Sequence, residues 1–94
     1  MTSEATETGA EDIQLWCAAP GARAVCLVGD FNGWNCSSHP MDRHVDGSWW
    51  INLKLHSGHH HYLFIVDGKA QLDLNAMCVV DAERMEKVSL IAIG

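Results

Sequence analysis

The chain has 94 residues, 48% of them hydrophobic and 19% charged, with twelve acidic residues against six basic ones and a formal charge of −6. That length supplies one domain with one modest core. The acidic balance makes phosphate backbones and anionic lipid surfaces poor partners, so neither nucleic acid nor a membrane is expected and a neutral ligand fits better.

Residues 1–12, "MTSEATETGAED", carry Glu4, Glu7, Glu11 and Asp12 with no basic residue among them. The rest of the chain, with eight acids against six bases, is nearly balanced. So polar a segment cannot bury enough surface to order itself, and the expectation is a disordered acidic stretch over 1–12 and one folded domain over 13–94. No run in the opening segment could serve as the apolar core of a signal, and no later run has the length to cross a bilayer, which points to the cytoplasm. In that setting Cys17, Cys26, Cys36 and Cys78 are expected as free thiols. Their spacings contain no CxxC, so a zinc site is not expected.

From Ile13 the chain reads as short apolar runs between turn signals: "IQLWCA", "ARAVCLV", the loop "GDFNGWNCSSHPM", then "SWWINLKL", "HHYLFIV", "KAQLDL", "MCVV" and "KVSLIAI". Each run has the length of a strand. Alternation is clearest in "SWWINLKL", where Trp49, Ile51, Leu53 and Leu55 share one face and Trp50, Asn52 and Lys54 the other. Asp46-Gly47 and Asp67-Gly68 are dipeptides of tight hairpin turns, and each lies between two strand candidates; Gly58 marks another reversal. Only "DAERMEK", 81–87, hints at a helical period. About seven short strands at this spacing predict an all-β antiparallel sandwich.

The run "CAAPGARAVCLVGDFNGWN", followed by "HPM", "GSWWINL", "YLFIVDG" and "KVSLI", resembles the family 48 carbohydrate-binding modules over about 13–93. Modules of this kind form the early-set domain ahead of the catalytic barrel in glycogen branching enzymes and isoamylases, and the glycogen-binding domain of the AMP-activated protein kinase β subunit. The "SSHPM" segment leans towards branching enzymes. The resemblance implies an immunoglobulin-like sandwich and, in members that bind, contact with α-1,4-glucan chains such as glycogen or starch. It also implies that Trp34, closing "GDFNGW", is the sugar-stacking tryptophan, because a pyranose presents a C–H face that packs on an indole while its hydroxyls need polar partners at the rim. Asn35, Lys69 and Lys87 are the polar residues expected beside it. Binding members carry a second tryptophan just after the "VDG" turn, where this chain has Ala70, and a lysine where it has Leu63; weak affinity follows.

Bland roles compete with these. Trp34 can instead be a packed loop anchor, Phe31 and Trp49 belong to the core, and the outward Trp50 calls for a cover, either the acidic N-terminal segment, self-association or a partner such as a glucan-active enzyme. His59, His60 and His61 look metal-like, but consecutive strand residues face opposite ways and at most two converge. No catalytic constellation emerges: Asp67 and Asp73 lack a cleft to flank, and "GDFNG" lacks the Lys and Ser/Thr of a phosphate loop. The expected function is therefore a non-catalytic, cofactor-free glucan-binding module, with a protein-interaction or spacer module of the same fold as the rival.

Overall fold

A computed structural model describes residues 11–94, which form eight strands. In chain order they are β1 (Glu11–Ala18), β2 (Val25–Gly29), β3 (Asp42–Arg43), β4 (Ser48–Leu55), β5 (Gly58–Val66), β6 (Lys69–Gln71), β7 (Met77–Asp81) and β8 (Glu86–Ile93). All pairings are antiparallel. One sheet runs β1-β4-β3; the other runs β2-β5-β8-β7, with β6 paired to β5. This is the all-β sandwich expected, with the two-residue β3 as an added strand. Glu11 and Asp12 open β1 and pair with Leu55 and Lys54. The rest of the acidic segment expected to be disordered lies outside the described residues.

Alternation builds the core between the sheets. Leu15 and Cys17 of β1, Trp49, Ile51, Leu53 and Leu55 of β4, and Tyr62 and Phe64 of β5 all point inward and are buried. The Trp49 indole N–H donates to the Ala19 carbonyl at 3.2 Å, which satisfies the one polar atom it carries into the core. The Tyr62 hydroxyl donates to Asp73 Oδ2 at 2.7 Å, and Asp73 is itself buried. Burial, reinforced by that bond, pushes the Tyr62 pKa far up; burial and the nearby Asp73 also raise the Cys17 thiol.

The turns follow their residues. Val66 pairs with Lys69 across a two-residue loop in which Asp67 and Gly68 both take positive φ, 50° and 86°, as the primed turn requires. Asp67 Oδ1 also accepts the N–H groups of Arg23 and Ala24, at 2.8 and 2.9 Å, tying this hairpin to the entry of β2. The stretch "DAERMEK", where the sequence hinted at a helical period, is not helical. Asp81 Oδ1 accepts the N–H groups of Glu83 and Arg84, at 2.9 and 3.1 Å, so the side chain stabilises a turn instead and the segment becomes the tip of the β7–β8 hairpin.

The expectation of four free thiols is corrected as well. Cys26 and Cys36 are joined by a disulfide, their Cα atoms 5.5 Å apart, while Cys17 and Cys78 are free. A separation of ten residues has no motif to announce it; the pairing arises because the loop after β2 folds back over the strand it left.

Candidate functional site

That loop is built on Gly29 and Asn32. A Cβ at Gly29 would run into the Phe31 ring and come within 2.7 Å of the His61 carbonyl oxygen, so only glycine permits the chain to turn there. Asn32 organises the turn from inside: its Oδ1 accepts the Gly29 N–H at 3.0 Å, and its Nδ2 donates to the Leu27 carbonyl at 3.1 Å and pairs with His39 Nδ1 at 2.8 Å. The Trp34 N–H donates to the Gly29 carbonyl at 2.9 Å. Trp34 itself has φ 60°, in the left-handed region, which is uncommon for a bulky residue. The motif thus holds an indole in a backbone conformation that glycine would take more easily.

The indole is half-buried against a second, smaller apolar cluster on the outer side of the larger sheet. Cys26, Val28, Leu63 and Val88 are its buried members, with Ile65, Leu72 and Val79 beside Trp34 at its margin. The disulfide pins the loop to the same cluster through Cys26. The Arg84 guanidinium carbon lies 4.0 Å over the centre of the Trp34 ring, a cation–π contact, and Arg84 Nε donates to Glu86 Oε2 at 2.6 Å. The hairpin carrying Arg84 is also held to β5, where His61 Nδ1 meets Asp81 Oδ2 at 3.0 Å. That bond, ahead of the turn N–H groups, depresses the Asp81 pKa.

Of the residues expected at the site, Trp34 and Asn35 sit together on the loop; Asn35 is exposed and its Oδ1 accepts the Ser37 N–H at 2.8 Å. Ala70 pairs with Ile65, which packs on the Trp34 cluster, so the substituted tryptophan position does share that face. The two lysines do not join it. Lys69 pairs with Val66, an inward residue, and Lys87 precedes Val88, which is buried in the outer cluster; alternation turns both away. The basic group at Trp34 is Arg84 instead. Leu63, where binding members carry a lysine, is an apolar member of the outer cluster, 3% exposed, and offers no polar contact.

The opposite sheet carries a second aromatic surface. Trp50 is outward as the alternation predicted, and it is covered by neighbours on its own sheet: Trp16 pairs with it across β1 and β4, ring centres 5.8 Å apart, and His44 lies 5.4 Å away on its other side, both near-parallel. Trp16 was legible by the same rule, since it alternates with the buried Leu15 and Cys17, but the alternation was read on "SWWINLKL" alone. The histidine trio separates into distinct bonds: His60 Nε2 donates to the His56 carbonyl at 2.8 Å, and His61 faces Asp81.

The fold and the loop define an antiparallel sandwich that displays aromatic rings on both outer sides. Residues 15–92 match the family described as the glycogen recognition site of AMP-activated protein kinase, and the chain belongs to that family. It is also similar to 1,4-alpha-glucan branching enzymes: 37% identical over 60 residues to that of Bradyrhizobium sp. (strain BTAi1), covering 64% of this chain and 8% of that protein. Against the enzyme of Rhodopseudomonas palustris (strain BisA53) it is 37% identical over 68 residues, 71% of this chain and 10% of that protein. For that of Cupriavidus pinatubonensis the figures are 45% over 42 residues, 44% and 6%. The chain thus spans a tenth or less of the length of these relatives. Among the described residues no helix is long and apolar enough to cross a membrane.

Proposed function

We propose that this domain is a non-catalytic binding module for α-1,4-glucan chains such as glycogen or starch, centred on Trp34 with Asn35 beside it. The observation that carries the reading is the strained, cluster-backed indole of Trp34. A turn that needed only a loop anchor could place a large apolar residue without a left-handed backbone, and here the surrounding bonds enforce that backbone on a tryptophan. Family membership and the likeness to branching enzymes support glucan as the ligand class. The affinity is weak, on the order of millimolar, because one stacking ring must offset the entropy of association with little polar help. Arg84 adds a further cost, since its guanidinium occupies the ring and must swing aside for a pyranose to stack.

Titration with maltoheptaose, followed by tryptophan fluorescence and by retardation in glycogen-containing native gels, tests the assignment. Trp34→Ala is expected to lose the response attributable to this loop while keeping a cooperative unfolding transition. Unchanged retardation and an unchanged Kd in a folded variant would contradict it.

A further inference from the structure

The surface of the smaller sheet opposite the Trp34 loop has a composition of its own. On its outer side the cross-strand pairs run Asp12–Lys54, Gln14–Asn52 and Trp16–Trp50, with His44 extending the last pair into a row of three near-parallel rings. The row is held in place: the Trp50 indole N–H donates to Ser48 Oγ at 2.6 Å, and Ser48 Oγ in turn donates to Asp46 Oδ1 at 2.6 Å. Trp16 ends the row on the β1 side, 42% exposed, and among the described residues β1 is one edge of its sheet.

Two hollows meet at Trp16 along that edge. One, of about 420 Å³, is lined by Gln14, Trp16, Asn75 and Met77 among others; the second, of about 260 Å³, by Trp16, Gln71 and Leu74. Gln14, Gln71 and Asn75 bring neutral amides to the rims, and the Asp73 carboxylate that lines both hollows is buried, accepting the Tyr62 hydroxyl at 2.7 Å and the Asn75 N–H at 2.9 Å. Asn52 lines neither hollow but is paired with Gln14 on the outer face, where both are exposed. Fixed aromatic rings bordered by planar amides match one ligand chemistry closely: a pyranose, whose C–H face packs on an indole and whose hydroxyls pair with amide donors and acceptors. Lys54, farther along this face, is paired with Asp12 at 3.7 Å, so the two charges there offset each other and a neutral ligand is favoured.

We propose that the Trp16–Trp50–His44 row is a second α-glucan contact, on the sheet opposite Trp34, with a sugar seated on Trp16 at the mouth of the two hollows and its hydroxyls meeting Gln14 and Asn52. Two faces on one small domain would let it engage two branches of a glucan particle, raising retention through effective concentration. The inference takes its ligand class from the function proposed above and is independent of it in location.

The test is a titration of the ¹⁵N-tryptophan-labelled chain with maltoheptaose, following the four indole N–H resonances of the wild type and the three that remain in Trp34→Ala and in Trp16→Ala, with Gln14→Ala as a variant that leaves the rings intact. Saturable shifts at the Trp16 and Trp50 indoles that persist in Trp34→Ala, with a Kd raised at least five-fold by Trp16→Ala and two-fold or more by Gln14→Ala, support the second contact. Shifts at Trp34 alone overturn it and leave the Trp34 reading standing; shifts at Trp16 and Trp50 alone do the reverse. No shift at any indole overturns both. Sedimentation that reveals a dimer lost on Trp16→Ala assigns the row to a second copy of the chain and overturns the proposal too.

Discussion

Trp34 is subject to two opposing demands. The loop gives its indole a fixed place, yet Arg84 lies over the ring, a contact worth about 0.5–1 kcal/mol at an exposed site. Glu86 holds Arg84 Nε in the same arrangement that sets the guanidinium over the ring, so a stacking sugar must displace it against two contacts that are both surface-exposed and weak. Arg84→Ala should therefore tighten maltoheptaose binding by about two- to five-fold, read as a lower Kd, while lowering stability only slightly; weaker binding would make Arg84 part of the sugar site rather than its lid. The two central tryptophans of β4 separate more sharply. Trp49 is 6% exposed with its N–H satisfied, so Trp49→Ala should cost about 3–5 kcal/mol. Trp50 lies outward and loses mainly its stacking with Trp16 and His44, so Trp50→Ala should cost about 1–2 kcal/mol in urea melts. The alternation of a single strand is enough to tell these neighbours apart. Arg84 was beyond its reach, because a contact between a loop and a hairpin tip some fifty positions later has no local signature.

At the level of elements, strands were legible and their ends were not. "SWWINLKL" coincides with β4, because alternation and the flanking Asp46-Gly47 turn agree, whereas "DAERMEK" suggested a helix and is a hairpin tip. The deciding residue there is Asp81, whose side chain outcompetes helical bonding for the N–H groups that follow it. Aspartates recur in this role. The Ser48 hydroxyl, then the Ser48 N–H, depress the Asp46 pKa; the N–H groups of Ala24 and then Arg23 depress Asp67; His61, then the Arg84 N–H, depress Asp81. A carboxylate whose pKa is lower folded than unfolded contributes stability that is fully present above its ordinary value, 3.8, and is lost as pH falls through the depressed folded value. The urea midpoint should hold from pH 7 down to about 5 as far as these groups decide it, and decline below 4. Asp67→Asn should flatten part of that decline while lowering the midpoint at pH 7, and an acid limb identical to wild type would remove Asp67 from the account.

For the molecule as a whole, the outer face of the larger sheet is the feature that sequence alone could not assemble. Its cluster draws on β2, β5, β7, β8 and the "GDFNGW" loop, and one covalent link, Cys26 to Cys36, fastens the loop to it. The absence of a paired-cysteine motif made free thiols the natural expectation, and only the return of the loop over β2 brings the two residues together. Closing a span of ten residues removes unfolded-chain entropy equivalent to about 2–3 kcal/mol, a large share of what a domain of this size possesses. Cys36 is exposed and Cys26 is buried, so a small dithiol reductant reaches the bond from the Cys36 side. In the reduced chain the Asn32 bonds and the Cys26–Pro40 bridge still hold the loop, so the fold should survive. The urea midpoint should nevertheless fall by the equivalent of about 2–3 kcal/mol on treatment with dithiothreitol. Cys36→Ser should reproduce that shift and abolish its dependence on reductant. Since Trp34 sits two residues from Cys36, maltoheptaose affinity at the Trp34 loop should weaken together with the midpoint. A reduced chain that kept the oxidised midpoint would show that packing alone closes the loop, and an equal loss in Cys36→Ser with and without dithiothreitol is the result that assigns the effect to the bridge.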